Sequence, residues 1–159
     1  MLKTYQIDLD HAAIFNRCMA HITENSLQKT SDNAVISKKV LLGGYENYDR
    51  YTLGPHTWPE LNNLLKLFSS PADGSWFNVM VQHSYIREHT HPRPQKYVCV
   101  YYPHSLPEHP PFEYFDSVTD TWQTIQCLTG DYMIFPKMLL HRVGTQISTV
   151  PRCSISINI

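Results

Sequence analysis

Charge is sparse in this chain. Asp, Glu, Lys and Arg make up 17% of its 159 residues, and the formal balance is −1 with histidine neutral. The basic residues are not clustered, so no surface for following a phosphate backbone is legible and nucleic acid is disfavoured as a partner. No apolar run approaches the roughly 20 residues that cross a bilayer, which argues against a membrane protein. Met1-Leu2-Lys3-Thr4-Tyr5 lacks the apolar core of a secretory leader. The four cysteines, Cys18, Cys99, Cys127 and Cys153, are scattered and form no Cys-x-x-Cys pair. Without a secretion signal such thiols are expected as reduced core residues, which points to a cytoplasmic protein.

Aromatic residues, by contrast, make up 12% of the chain, and histidine occurs nine times. The length suits a single domain, 1–159, with enough chain to bury a core. Residues 1–74 read as a helical cover. Asp10 caps a helix running to Glu24, with Ile14, Cys18 and Ile22 on one face. A loop follows from Asn25 to Ser37, then a short strand from Lys38 to Leu42 ended by Gly43-Gly44. Thr57-Trp58-Pro59-Glu60 is a capping-box pattern that opens a second helix, with Leu61, Leu64, Leu65 and Phe68 on its apolar face, and Ser69 to Gly74 ends it.

From residue 75 the period becomes strand-like. The strands are expected at Trp76–Tyr85, Tyr97–Tyr102, Phe112–Phe115, Thr121–Leu128, Tyr132–Phe135 and Arg152–Ile159, separated by proline, glycine and aspartate clusters. Asp116 to Asp120 reads as a hairpin turn and Pro103 to Pro111 as an extended surface loop. His11, His21, His56, His104 and His109 are expected at the surface. Helices followed by antiparallel strands imply an α+β fold, with helices on one face of a β-sandwich or jelly roll.

Glu88-His89-Thr90-His91-Pro92 carries the chemistry. Side chains two apart on a strand leave the same face, so His89 and His91 would share one space, and neutral imidazole is a common ligand for iron, zinc, copper or nickel. Two surface or hydrogen-bonded histidines would give the same pattern. A third, His141, follows Gly130-Asp131-Tyr132-Met133-Ile134-Phe135-Pro136, a turn, strand and bend able to return it beside the first two. Three protein ligands with positions left open suit a catalytic metal. Alternatively His141 simply starts a strand with its ring in solvent. In the last element Arg152, Ser154, Ser156 and Asn158 alternate with Cys153, Ile155, Ile157 and Ile159. The polar face offers a guanidinium beside a hydroxyl, suited to a carboxylate, or else it faces water.

Residues Trp76 to Ile159 resemble the double-stranded β-helix family of 2-oxoglutarate- and Fe(II)-dependent oxygenases, and a small bacterial and phage-associated branch in particular. The resemblance rests on Trp76-Phe77-Asn78-Val79, His89-Thr90-His91-Pro92, Val100-Tyr101-Tyr102, Gly130 to His141, and Arg152-Cys153-Ser154. It implies that His89, His91 and His141 hold Fe(II), and that 2-oxoglutarate chelates the metal as cosubstrate. Arg152 and Ser154 would take its far carboxylate, with Asn78 and Tyr101 as further partners, unless Asn78 serves a backbone group and Tyr101 the core. His91 stands where most members carry Asp or Glu. Gly130 to His141 also fits the second cupin motif, with Gln95 at the place of the first motif's glutamate, and Lys96-Tyr97-Val98-Cys99 puts bulk where small residues are usual. A cupin-like three-histidine dioxygenase without 2-oxoglutarate, and a β-sandwich module without catalysis, therefore stand beside the oxygenase reading. The substrate, a small molecule or a peptide, is not legible; residues 103–111 and Tyr45–Tyr51 are expected to border the opening. An exposed edge strand would allow a homodimer, though no residue pattern demands one.

Overall fold

The computed structural model describes residues 2–27, 38–39, 48–53, 58–68, 75–92 and 94–159. Gly43-Gly44, Thr57, His56 and the Ser69–Gly74 break lie outside these residues, as does most of the expected 25–37 loop.

Two antiparallel sheets face one another. The strands are β1 (Thr4–Gln6), β2 (Lys38–Lys39), β3 (Tyr48–Leu53), β4 (Ser75–Met80), β5 (Ile86–His89), β6 (Tyr97–His104), β7 (Phe112–Asp116), β8 (Thr121–Ile125), β9 (Asp131–Pro136), β10 (His141–Val143) and β11 (Arg152–Asn158). The larger sheet has the order β1-β9-β6-β11-β4-β3-β2 and the smaller β5-β10-β7-β8. From β4 onward the chain passes back and forth between the sheets, the winding of a double-stranded β-helix. The helices are α1 (His11–Leu27) and α2 (Asn62–Leu65), the latter entered through a 3-10 turn at Pro59–Leu61. The fold is thus α+β, as the residue pattern implies, although residues 1–74 also add three strands to the larger sheet. No helix among the described residues is long and apolar enough to cross a membrane.

The alternation in β11 sets the layers. Cys153, Ile155 and Ile157 pack with Phe77, Val79, Cys99 and Tyr101 of the same sheet against Ile14 and Cys18 of α1 and Leu61, Leu64 and Leu65. Burying each isoleucine there contributes roughly 1.5–3 kcal/mol. The opposite face looks between the sheets, where Val98, Val100, Tyr102, Phe112, Tyr114, Cys127, Met133 and Phe135 form a second core. Every residue of β11 is buried, so its polar face lies inside the sandwich and not in water.

Local signals explain most boundaries. Asp10 Oδ1 accepts the Ala13 N–H at 3.0 Å and caps α1, satisfying a donor the first turn leaves free. Pro59 sits in the first turn of the second helical segment, whose N-cap Trp58 makes no side-chain cap bond. The Asp116–Asp120 turn joins β7 to β8, with the Val118 N–H on Asp116 Oδ1 at 2.9 Å and Asp120 at φ 55°.

The structure departs from the sequence pattern in several places. The run Trp76–Tyr85 is not one strand: it stops at Met80, and a turn with His83 at φ 71° and the Val81 N–H on Ser84 Oγ at 3.0 Å delivers β5 to the other sheet. No glycine or proline marks that turn. Strand β1 went unpredicted because its three residues are all exposed; it is held by pairing with β9, where Tyr5 stacks on Tyr132. Residues 103–111 are not wholly a surface loop, since β6 runs to His104, and Ser105 and His109 are buried. Finally, little of the bulk at residues 96–99 enters the interior: Lys96 and Tyr97 are exposed, Cys99 faces the helices, and Val98 lies between the sheets.

Candidate metal centre

His89 ends β5 and His141 begins β10, and the two are directly opposed in the antiparallel register. Opposed residues project from one face with Cβ atoms about 5 Å apart, and here the ring centroids lie 4.2 Å apart. His91 lies just beyond the strand. Its own N–H donates to the Lys137 carbonyl at 2.8 Å, which folds it over the β9–β10 connection. Its ring then stacks on His141 at 4.9 Å and 17°, with the two Nε2 atoms 3.1 Å apart. One ligand nitrogen from each of the three falls within 4.8 Å of the others.

The hydrogen bonds around the rings set their tautomers. His89 Nδ1–H donates to the Arg87 carbonyl and His141 Nδ1–H to the Leu139 carbonyl, each at 2.8 Å. Both histidines therefore present Nε2 as a lone pair, the usual outer-shell arrangement for a ligating imidazole. An ion about 2.1 Å from each of two adjacent imidazoles would hold their nitrogens about 3 Å apart, close to the His91–His141 spacing. Burial pushes the His141 imidazole down to about 3, helped by His89 and then His91 and opposed by the Leu139 carbonyl, so its lone pair stays free at neutral pH. Phe112 and Phe135 flank His141, and Trp76 lies 5.4 Å from His91. His91 and His141 are buried while His89 is half-buried, so the cluster opens on the His89 side.

Register ties this cluster to β11. Arg152 opposes Met80, Ser154 opposes Asn78, and Ser156 opposes Trp76, the residue against His91. The polar face of β11 and the histidines therefore share the space between the sheets. Arg152 is 2% exposed. Its Nη1 lies 3.4 Å from Met80 Sδ, its guanidinium carbon 5.0 Å from the Tyr102 ring, and its Nε has no partner among the described residues. Among the described residues no carboxylate pairs with it. A buried charge without a counter-ion costs several kcal/mol, and an anion placed here would offset that cost. Asn78 and Ser154, 7% and 5% exposed, stand beside it.

Tyr101 is not brought to this space. It faces α1, within the outer core, and its hydroxyl lies 2.6 Å from His11 Nδ1. Tyr102, which the sequence reading passed over, takes the inward position. Burial pushes its phenol well up, with the nearby guanidinium opposing, so it remains an O–H donor. The signal was available: Val98, Val100 and Tyr102 share one face of β6.

No protein-family model matches the chain, and no curated protein matches it. Solved structures do. A Pseudomonas putida prolyl-4-hydroxylase is 13% identical with a TM-score of 0.70, over 99% of this chain and 91% of that one. An oxidoreductase of the 2OG-Fe(II) oxygenase family from Burkholderia pseudomallei is 13% identical with a TM-score of 0.62, over 97% and 83%. HygX from Streptomyces hygroscopicus, solved with nickel, 2-oxoglutarate and hygromycin B, is 12% identical with a TM-score of 0.62, over 98% and 81%. At these identities the likeness is one of fold, the double-stranded β-helix of such oxygenases.

Proposed function

We propose that this protein is a 2-oxoglutarate- and Fe(II)-dependent dioxygenase whose metal is held by His89, His91 and His141. The observation that carries the reading is Arg152, a buried cation with no acid partner among the described residues, in the same interior space as three convergent imidazoles. The chemistry of the donor set fits: nitrogen ligands with positions left open suit a catalytic iron, and an unpaired guanidinium suits the far carboxylate of a keto-diacid. When bound, iron and 2-oxoglutarate together supply oxygen activation and oxidation of a substrate C–H bond. The chain's own residues do the rest. Arg152, Ser154 and Tyr102 offer donors to the carboxylate, and Asn78 offers an amide. Trp76, Phe112 and Phe135 keep water from the ligands, and the half-exposed side at His89 is where a substrate would enter.

The test is anaerobic Fe(II) titration with and without 2-oxoglutarate, read by the visible charge-transfer band. A band that needs both, and is lost in Arg152→Ala, is the expected result. One observation favours a second reading: His91 stands where most such enzymes carry a carboxylate, which is the ligand set of a cupin-type dioxygenase acting without 2-oxoglutarate. Metal binding with no effect of the keto acid would select it. No metal binding at all would leave a β-sandwich binding module.

A further inference from the structure

The chain reaches β11 through Gly144 to Pro151, a stretch without helix or strand. Its order comes from side chains belonging to other parts of the molecule and from one of its own. Gln146 is fully buried, and its Nε2 lies 2.8 Å from the Val150 carbonyl, 3.2 Å from that of Ser148 and 3.3 Å from that of Met80. Its backbone is also pinned, with the N–H on the Ser84 carbonyl at 2.8 Å and the C=O accepting the His83 N–H at 2.7 Å. His109, buried in the 105–111 turn, donates from Nε2 to the same Val150 carbonyl at 2.9 Å. Its Nδ1 accepts the Leu106 N–H at 2.9 Å. His104 Nδ1 donates to the Pro151 carbonyl at 2.8 Å, and its ring stacks on Phe15 of α1 at 4.2 Å.

These bonds converge on the backbone that launches Arg152. Arginines that bind anions are commonly aimed by a protein carboxylate on their other edge. Here, among the described residues, the guanidinium meets the Met80 sulfur and Tyr102, and its Nε is bare. Its aim is therefore set at the root, by where β11 begins. Gln146 holds both walls of the anion pocket at once: Val150, two residues before Arg152, and Met80, opposite Arg152 in register. It does so while its own Oε1 stays buried without a partner among the described residues, a loss of about 1–3 kcal/mol. Turning the amide over would set oxygen against three carbonyls, so the orientation is fixed.

We propose that Gln146 and His109 are positioning residues for the anion-binding guanidinium, acting through the Val150 carbonyl. The inference rests on the reading above, in which Arg152 takes the far carboxylate of 2-oxoglutarate. Misplacing a binding group by about 1 Å can cost up to a hundredfold.

The test compares His109→Asn, His109→Gln and Gln146→Met with the wild type. Asparagine keeps the acceptor for Leu106 but loses the donor to Val150; glutamine does the reverse. The readouts are the 2-oxoglutarate dependence of the Fe(II) band, metal affinity alone by Co(II) titration, and binding of 2-oxobutyrate, a keto acid without the far carboxylate. The expected result is 2-oxoglutarate binding weakened about tenfold or more in His109→Asn and Gln146→Met. His109→Gln should stay near wild type, with Co(II) and 2-oxobutyrate binding unchanged throughout. Equal losses in both His109 variants, or unchanged 2-oxoglutarate binding in His109→Asn, overturn the proposal. Should Gln146→Met fail to fold, the His109 pair decides alone. A wild type that binds metal but ignores 2-oxoglutarate overturns the underlying reading and this proposal with it. A responsive wild type with indifferent variants overturns this proposal only.

Discussion

His89 and His141, separated by half the β-helix in sequence, are cross-strand partners: they oppose one another in the β5–β10 register with ring centroids 4.2 Å apart. The candidate metal centre is thus a property of strand pairing, and only His91 needs a separate device, its N–H on the Lys137 carbonyl. A one-residue slip of β5 would turn His89 to the other face of its sheet.

The ligand set predicts a contrast at position 91. His141→Ala and His91→Ala should each weaken Co(II) or Ni(II) binding on the order of a hundredfold, a loss at least as large as that for an outer-shell partner. His91→Asp should bind at least as well as the wild type, because it creates the two-histidine, one-carboxylate set that open iron sites use. Isothermal titration of the apo protein checks all three. An His91→Ala variant that binds metal like the wild type would remove His91 from the centre.

Arg152 predicts an unusual stability result. A buried charge without a counter-ion is costly, so Arg152→Met should leave the apo protein as stable as the wild type or more so. The same change should abolish the rise in melting temperature that 2-oxoglutarate with metal gives the wild type. Thermal unfolding with and without the keto acid measures both. A loss of about 3–5 kcal/mol in the apo protein would mean that the guanidinium serves the fold and not a ligand.

His109 predicts an acid-side slope. Burial lowers its imidazole below the usual 6.5, with the Val150 carbonyl opposing and Arg152 helping. The neutral ring is satisfied on both edges, whereas a proton on Nδ1 would face the Leu106 N–H. Below about pH 6.5 the unfolded chain takes up a proton that the folded chain refuses, so stability falls as pH falls, down to the folded value. His141 is lowered too, to about 3, and adds a fall of the same sign over about pH 6.5 to 3. Urea unfolding from pH 7.5 to 5 should therefore show a shallower slope in His109→Gln than in the wild type. Parallel slopes would contradict the burial of a neutral His109.

How much of this was legible in the sequence follows from what each residue answers to. The histidines, Arg152 and Ser154 sit at spacings that strand periodicity can interpret, and the alternation from Arg152 to Ile159 predicts one face packed on the helices; that the polar face is buried too follows only from the second sheet laid over it. The strand break after Met80 was hidden because Gln82-His83-Ser84 carries no glycine or proline, yet His83 adopts a positive φ. Tyr101 and Tyr102 are neighbours, so only the register of β6 decides which one faces inward. That register shifts between Cys153 and Ile155, near Pro103, where a proline cannot donate to the ladder. His109 looked like surface because prolines surround it; its partner carbonyl is 41 residues away, beyond the reach of any local pattern.

The two cores give the last prediction. Phe135 lies between the sheets, 4.9 Å from the His141 ring and 5.3 Å from Phe112. Ile155 lies on the other side of the larger sheet, against the helices. Phe135→Ala should cost about 3–5 kcal/mol and Ile155→Ala about 2–5 kcal/mol, since each leaves a cavity in a packed layer. Their effects on the metal should differ. The cavity at Phe135 admits water beside His141, easing the burial that holds its imidazole neutral, and frees the ring to turn, so metal affinity should fall. At Ile155 the sheet itself screens the histidines, so affinity should hold in the fraction that remains folded. Urea unfolding paired with Co(II) titration separates the two effects. Equal losses of metal affinity in both variants would mean that the helical layer, and not only the space between the sheets, sets the ligand geometry.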